Sequence, residues 1–495
     1  MFLTSKHSIK LDIFKSLLFS DESLSIISLA NDFNVSRKTL IRYLDELITD
    51  INNYFPEFNL IFEVNRGKIV TFDIEKETAL YLLSYLNLSY TEETKEFQMI
   101  HLLLQKKIKN VNELAEELHQ SLSTTYLTLD RVLYLLKHFD IQLNLSSQNH
   151  ISNFVYEEKK LRLFGYYFYW LTYRGIKLPN NWKENSWIQP TFNKNQENFI
   201  SQLLPSKQNQ ILYIGIIWYR RLLLRQKTLQ FPEPFKSILL IMTNIHDVTK
   251  TYLSVPLGIN SCSIEDETLF INLFIRHLIS DIDSDSQKFF MMTELKKLDN
   301  PIIHLSNSLL DRLISNFNLL ISDKNKAFFY YYFVLFFMYT QYFDIKIPIS
   351  FFNRTTFKNN NNYELNNKIS RFLKNFIKTE PLVKKVKIDD FYFQLLVSQI
   401  YVYLDMLSQS PLKIASQFSK NIMGEELIKH RLTKIYTSKA LIFTSNYQEA
   451  DLVISESYEG LKKEKYYFYI DSLTDEEAWV RLFNYVQEQI LARNF

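Results

Sequence analysis

Twenty residues beginning at Ser28, "SLANDFNVSRKTLIRYLDEL", align without a gap to "ELAEELHQSLSTTYLTLDRV" beginning at Glu113, a fixed offset of 85 residues. Leu29 and Ala30 fall on Leu114 and Ala115, Phe33 on Leu118, Ser36 on Ser121, Thr39 on Thr124, and Leu44 with Asp45 on Leu129 with Asp130. Self-similarity at one offset is the signature of a duplicated supersecondary unit. In the first copy, Leu24, Ile26 or Ile27, Ala30 and Phe33 recur at helical spacing, and Asn34 suits a tight left-handed turn. Ser36 is placed to cap a second helix, in which Leu40, Leu44 and Leu47 follow i, i+4, i+7 into a core. At 100° per residue, Lys38, Arg42 and Asp45 then lie on the opposite side, flanked by Arg37, Thr39 and Ile41.

Two short helices joined by a tight turn, the second presenting hydroxyl and basic side chains near its start, form a helix-turn-helix whose second helix enters the major groove. Arg42 and Lys38 suit guanine edges or phosphates, and Ser36 and Thr39 suit phosphate oxygens or base edges. After this helix, "NLIFEVNRGKIVTFDI" (residues 59–74) reads as a β-hairpin, making the unit a winged helix with Arg66 and Lys68 at the tip facing phosphate. A second hairpin candidate, "IQLNLSSQNHISNF", follows the second copy from Ile141. The competing reading, a solvated helix of some other bundle, does not account for a shared offset followed by a shared hairpin. In the second copy Lys38 becomes Ser123 and Arg42 becomes Leu127, leaving Thr124, Thr128 and Arg131 beside Ser123 as polar candidates, with Lys106, Lys107 and Lys109 ahead of them. That makes it the weaker reader, suited to contact the DNA backbone or to assist dimerisation.

Charge decides how DNA could be held. Residues 1–150 contain 15 Lys and Arg against 20 Asp and Glu, so bulk attraction is absent and a local basic face must carry phosphate contacts. The whole chain is near balance at +3. Its 495 residues exceed one core, and 46% hydrophobic with 22% charged residues describes a soluble globular protein. Forty Phe and 31 Tyr against seven Gly favour helix-rich packing. The single Cys262 excludes an internal disulfide and fits a reducing, cytoplasmic compartment. "AFFYYYFVLFFMYTQYF", residues 327–343, is short for a membrane span and reads as a buried helix, so no membrane partner is expected. The sequence calls for no cofactor, metal cluster or phosphate-binding glycine loop, and the chain is not expected to be an enzyme.

The expected fold is mainly α with a small α/β part. Winged units occupy 1–75 and 76–155, two tandem helical bundles 156–262 and 263–408, and an α/β domain 409–495. The bundles divide near residues 255–268, and the Asn-rich "NNNNYELNN" (359–367) reads as a surface loop. In the last domain "PLKIASQFS", "KALIFTS" and "ADLVISES" suit buried parallel strands, with "GEELIKHRLTKIY" and a terminal helix from Asp475 beside them.

In this arrangement the chain resembles the Mga-type virulence regulators of Gram-positive bacteria, which include RofA-like and AtxA-like proteins. The resemblance covers nearly the whole length and implies two DNA-binding units, two phosphotransferase-system regulation domains (PRDs) and a C-terminal domain like a sugar-phosphotransferase EIIB component. It implies a transcriptional regulator, chiefly an activator, that binds double-stranded promoter DNA and self-associates, a dimer first. RNA polymerase and a phosphotransferase-system phosphocarrier are the further partners it suggests. Phosphorylation in such regulators falls on His, yet residues 205–229 contain none; His246, His277 and His304 are the histidines of the helical middle. The first loop of the EIIB-like domain has Ser416, Ser419 and Asn421 where a nucleophilic Cys would stand. Two other readings compete: a phosphotransferase-system enzyme or phosphocarrier, and an RNA-binding antiterminator, which shares tandem regulation domains but starts with a small sheet.

Overall fold

Ser25 and Ser36 decide where the first two short helices begin. In this computed structural model the Ser25 hydroxyl accepts a hydrogen bond from the Ile27 amide (3.2 Å), and Ser36 accepts from the Thr39 amide (3.1 Å). Each satisfies an orphan donor of a helix N-terminus. The structure describes residues 3–19, 24–56, 63–65, 68–70, 76–145, 153–179, 200–223, 229–252, 261–279, 282–345, 363–385, 388, 390–407, 411–418, 423–437, 440–456, 466–470 and 472–493.

The chain opens with α1 (Ser5–Phe19), β1 (Leu24–Ser25), α2 (Ile26–Asp32), α3 (Arg37–Tyr54), β2 (Glu63–Asn65) and β3 (Lys68–Val70). The strands form an antiparallel sheet in the order β1-β3-β2, with Leu24 paired to Ile69 and Asn65 to Lys68. Three helices with a hairpin returning to a strand ahead of α2 make a winged helix. Leu24 is therefore a strand residue rather than the first helical residue, and Ile26 is buried while Ile27 faces outward. Ile13, Leu17, Ile26, Leu29, Ala30, Leu40 and Leu44 form one core, and Leu11, Phe14, Leu47, Ile51, Phe55, Leu82, Leu86 and Tyr90 a second. Leu40, Leu44 and Leu47 all point inward, as their spacing requires.

The second unit comprises α4 (Lys76–Glu92), α5 (Lys95–Gln105), α6 (Val111–Glu117), α7 (Leu122–Lys137), β4 (Gln142–Leu143) and β5 (Phe154–Val155), the two strands antiparallel. Asn153 ties the strand end to the helices, its side chain donating to the Leu103 and Lys106 carbonyls and accepting from the Ile108 amide. Then come α8 (Glu158–Tyr173), α9 (Pro205–Leu223), α10 (Glu233–Ile245), α11 (Val248–Tyr252), α12 (Ser261–Leu278), α13 (Asp285–Leu295), α14 (Pro301–Asn316) and α15 (Asp323–Phe343). Residues 261–268, inside the interval expected to divide the bundles, are the first turns of α12. The aromatic helix α15 is buried along most of its length, and no described helix is long and apolar enough to cross a membrane.

The chain divides into two compact units, Met1–Ser308 with Asp323–Asn353, and Leu309–Ser322 with Arg354–Phe495. In the second unit α16 (Tyr363–Thr379) packs on α17 (Asp390–Leu407). The expected Asn-rich loop is thus helical from Tyr363, because Leu365, Ile369, Phe372, Leu373 and Phe376 give that segment an apolar face to bury; residues 359–362 lie outside the described residues. β6 (Leu412–Gln417), β7 (Leu441–Phe443), β8 (Leu452–Ser455) and β9 (Tyr466–Tyr469) form a parallel sheet in the order β7-β6-β8-β9. α18 (Gly424–Ile435) and α19 (Glu476–Arg493) cover it around Ile414, Leu452, Ile454, Leu432 and Trp479.

Candidate nucleic-acid interface

The turn between α2 and α3 is built by backbone chemistry and then repeated. Asn34 adopts a left-handed conformation (φ 52°), and the Phe33, Asn34 and Val35 amides close the turn onto the Leu29, Asn31 and Ala30 carbonyls. At the 85-residue offset His119 takes φ 51°, and the Leu118, His119 and Gln120 amides bond Leu114, Glu116 and Ala115. The caps match as well. Ser36 Oγ lies 2.8 Å from Thr39 Oγ1, and Ser121 Oγ lies 2.9 Å from Thr124 Oγ1. Two copies of one helix-turn-helix are therefore present, with the turn and the cap of the second helix equal down to individual hydrogen bonds.

Their surfaces differ. On α3, Arg37, Lys38 and Arg42 are exposed, and among the described residues no ion pair engages any of the three. Arg42 leans over the Tyr43 ring, its guanidinium carbon 5.4 Å from the centroid. Two of the three carboxylates of the same helix are occupied from behind, Lys6 and Lys10 binding Glu46 and Lys10 and Tyr90 binding Asp50, while Asp45 stays exposed on the outer side. The outer face thereby keeps its cations free for phosphate or guanine contacts. Ile41, 39% exposed between Lys38 and Arg42, adds an apolar contact of the type that reads a thymine methyl group. Thr39 is half-buried and shares its hydroxyl with Ser36, so its first role is the cap. Lys68 begins β3 opposite Asn65 and Ser25, on the strand that abuts the start of α2. Arg66, expected at the wing tip, lies outside the described residues.

On α7 the expected polar set does not come together. Ser123 is exposed and Thr124 half-buried against Ser121. Thr128 is 3% exposed, its hydroxyl donating to the Thr124 carbonyl at 3.0 Å, so it faces the core and not a ligand. Arg131 is exposed but paired with Glu96 at 2.7 Å, and Lys106 is paired with Glu117. Leu122, Tyr126, Leu127, Leu133 and Tyr134 make up the exposed apolar surface of this helix.

The three histidines of the helical middle sit in different surroundings. His246 ends α10 with Nδ1 2.6 Å from Asp283 Oδ1 and Nε2 3.3 Å from the Thr251 hydroxyl. Asp283 is buried, which on its own would raise its pKa, but hydrogen bonds from His246, Arg276 and Tyr331 and the Arg276 charge bring it down to about 2. His277 stacks on Tyr339 with ring centroids 3.5 Å apart, and desolvation pushes it down to about 3. His304 is exposed and bonds Asp299 at 2.8 Å. Among the described residues no group of His, Cys, Asp and Glu is arranged to hold a metal ion.

Residues 82–169 match the family model of the Mga helix-turn-helix domain. This segment is similar to the Mga helix-turn-helix domain. It runs from Leu82 on α4 through the second helix pair and hairpin to Tyr169 on α8. DNA-bound regulation of transcription is the class of function that such a domain serves. No curated protein matches the chain.

Proposed function

We propose that the chain is a transcriptional regulator of the Mga type, acting chiefly as an activator, that reads promoter DNA through α3 of its first winged unit. The free cations Arg37, Lys38 and Arg42 on one helix face, presented by a turn and cap that recur in the matched domain, carry this reading. Lys68 and Arg66 of the wing would meet the backbone beside the groove. The helical middle then serves as PRD-like regulatory bundles, and the four-stranded parallel domain as an EIIB-like module for self-association. Regulatory phosphotransfer enters at His246, whose ring is oriented by the buried Asp283 as a phosphoacceptor needs, with His277 stacked away and His304 held outside by Asp299. RNA polymerase and a phosphotransferase-system phosphocarrier are the protein partners of this reading, and the cytoplasm its location.

The test is fluorescence anisotropy of the full chain on a duplex from its own upstream region, titrated across salt, beside an Arg37→Ala/Lys38→Ala/Arg42→Ala variant. Loss of three phosphate contacts would flatten the slope of log K against log salt by about 3, at ~0.9 per contact. A variant that binds as tightly, with the same slope, removes α3 as the reader.

A further inference from the structure

Gly165 sits in the middle of α8, within "LRLFGYYFYW", where the backbone does not ask for glycine. Its φ is not positive, and a Cβ at this position would meet Ile217 Cγ2 at 3.8 Å, an ordinary contact, as its nearest neighbour beyond its own stretch of helix. Glycine weakens a helix interior relative to alanine, so what the missing methyl group provides is space. That space belongs to a half-enclosed cavity of about 50 Å³ between α5, α8 and α9. Leu104, Leu161 and Ile217 form its apolar wall, and Tyr169, Arg220 and Arg221 its polar one.

The polar wall holds two guanidiniums and a phenol and no carboxylate. Glu158 answers Arg221 at 2.7 Å, and Glu158 and Glu267 answer Arg162 behind it, so Arg162, Arg220 and Arg221 outnumber the two carboxylates of this joint. Glu92, the next acid, is held by Tyr173 and Lys177. The Arg220 charge is felt by the groups around it. Burial lowers His101 to about 4 with Arg220 as the second cause, and burial raises Tyr169 against the pull of the same charge.

We propose that this cavity binds a small oxyanion of phosphate size, held by the Arg220 and Arg221 guanidiniums. At ~10–15 Å³ per water-sized group, about 50 Å³ takes roughly three to five such groups, which four oxygens around one centre fill and a sugar or a base does not enter. Guanidinium presents paired N–H donors to an oxyanion, and these bonds are stronger beside an apolar wall than in water. The anion would tie α9 of the helical middle to α5 and α8, which contribute Leu104 and Gly165 from the matched segment. The site stands without the DNA reading; only an effect of the anion on DNA affinity would rest on it.

The experiment is thermal unfolding of the full chain in inorganic phosphate and in sodium chloride of equal ionic strength, with calorimetric titration of phosphate. Phosphate should raise the melting temperature saturably. Arg220→Gln should weaken binding about 10–100-fold, the range for losing one hydrogen bond to a charged group. Gly165→Ala suits the helix and fits the space, so its melting temperature in chloride should hold or rise while the phosphate shift disappears. Glycerol 3-phosphate separates the sources: a shift like that of phosphate marks the phosphoryl head of a metabolite, and no shift marks the free ion. The Arg37→Ala/Lys38→Ala/Arg42→Ala variant removes the other cationic surface and should keep the full phosphate shift. No rise beyond chloride, a shift that survives Gly165→Ala or Arg220→Gln, or a shift lost with the three α3 cations would overturn the proposal.

Discussion

Asn34 and His119 do the same work with different chemistry. Both sit at φ near +50°, where a side chain costs ~1–2 kcal/mol unless it is Gly, with Asn the best tolerated of the others. His119→Gly is therefore expected to raise stability by on the order of 0.5 kcal/mol and Asn34→Val to lower it by about 1–2 kcal/mol, read as shifts in the urea midpoint. Ser36→Ala should cost about 1 kcal/mol, since it orphans the Thr39 amide. The left-handed turn at Asn34 was legible from residue type; at His119 only the 85-residue offset reveals it. Thr128 was misplaced for a related reason. Its hydroxyl is satisfied by the carbonyl one turn back, so a polar residue can sit in the core, and the buried stripe of α7 becomes Thr125, Thr128, Val132 and Leu136.

Between elements, the least legible contacts are those among polar groups on helices far apart in sequence. Apolar periodicity located α3, α7 and the parallel strands β6, β7 and β8, because one buried face imposes one period. It could not show that His101 on α5 would stack on Phe97 and approach Tyr169 on α8. Burial, with the Arg220 charge second, pushes His101 down to about 4. A base whose pKa is lowered on folding is protonated first in the unfolded chain. Its stabilising contribution is thus intact above pH 6.5 and lost as pH falls from there towards 4. His277, lowered to about 3 by desolvation, acts in the same direction and extends the loss to lower pH. His101→Gln should make the melting temperature less sensitive to acidification between pH 6.5 and 4; an unchanged dependence would show that His101 does not govern it. Asp283 acts in the same direction at lower pH, its stabilisation present above pH 3.8 and lost as pH falls towards 2.

At the scale of the molecule, the helix that ends the segment matching the Mga helix-turn-helix model also begins the helical middle, and buried charge locks the two together. Arg162 on α8 donates to Glu158 one turn back and through two nitrogens to Glu267 on α12; Arg221 on α9 clasps Glu158 through two more. Trp218 adds an indole hydrogen bond to Glu267 at 3.0 Å. All four charged side chains are largely or wholly buried, and charged residue types read from sequence point outward, which is why periodicity alone drew a domain edge here instead of a joint. Removing one partner strands an unpaired charge in the interior, so Arg162→Met or Glu267→Gln alone should each cost about 3–5 kcal/mol. The double variant Arg162→Met/Glu267→Gln leaves Glu158 with Arg221 and should cost much less than the two together. Differential scanning fluorimetry of the four proteins of this cycle reads the coupling directly. Additive losses in melting temperature would mean that the two side chains stabilise the joint independently, and that the domain and the bundle are held by apolar packing around Tyr166, Phe270 and Phe274.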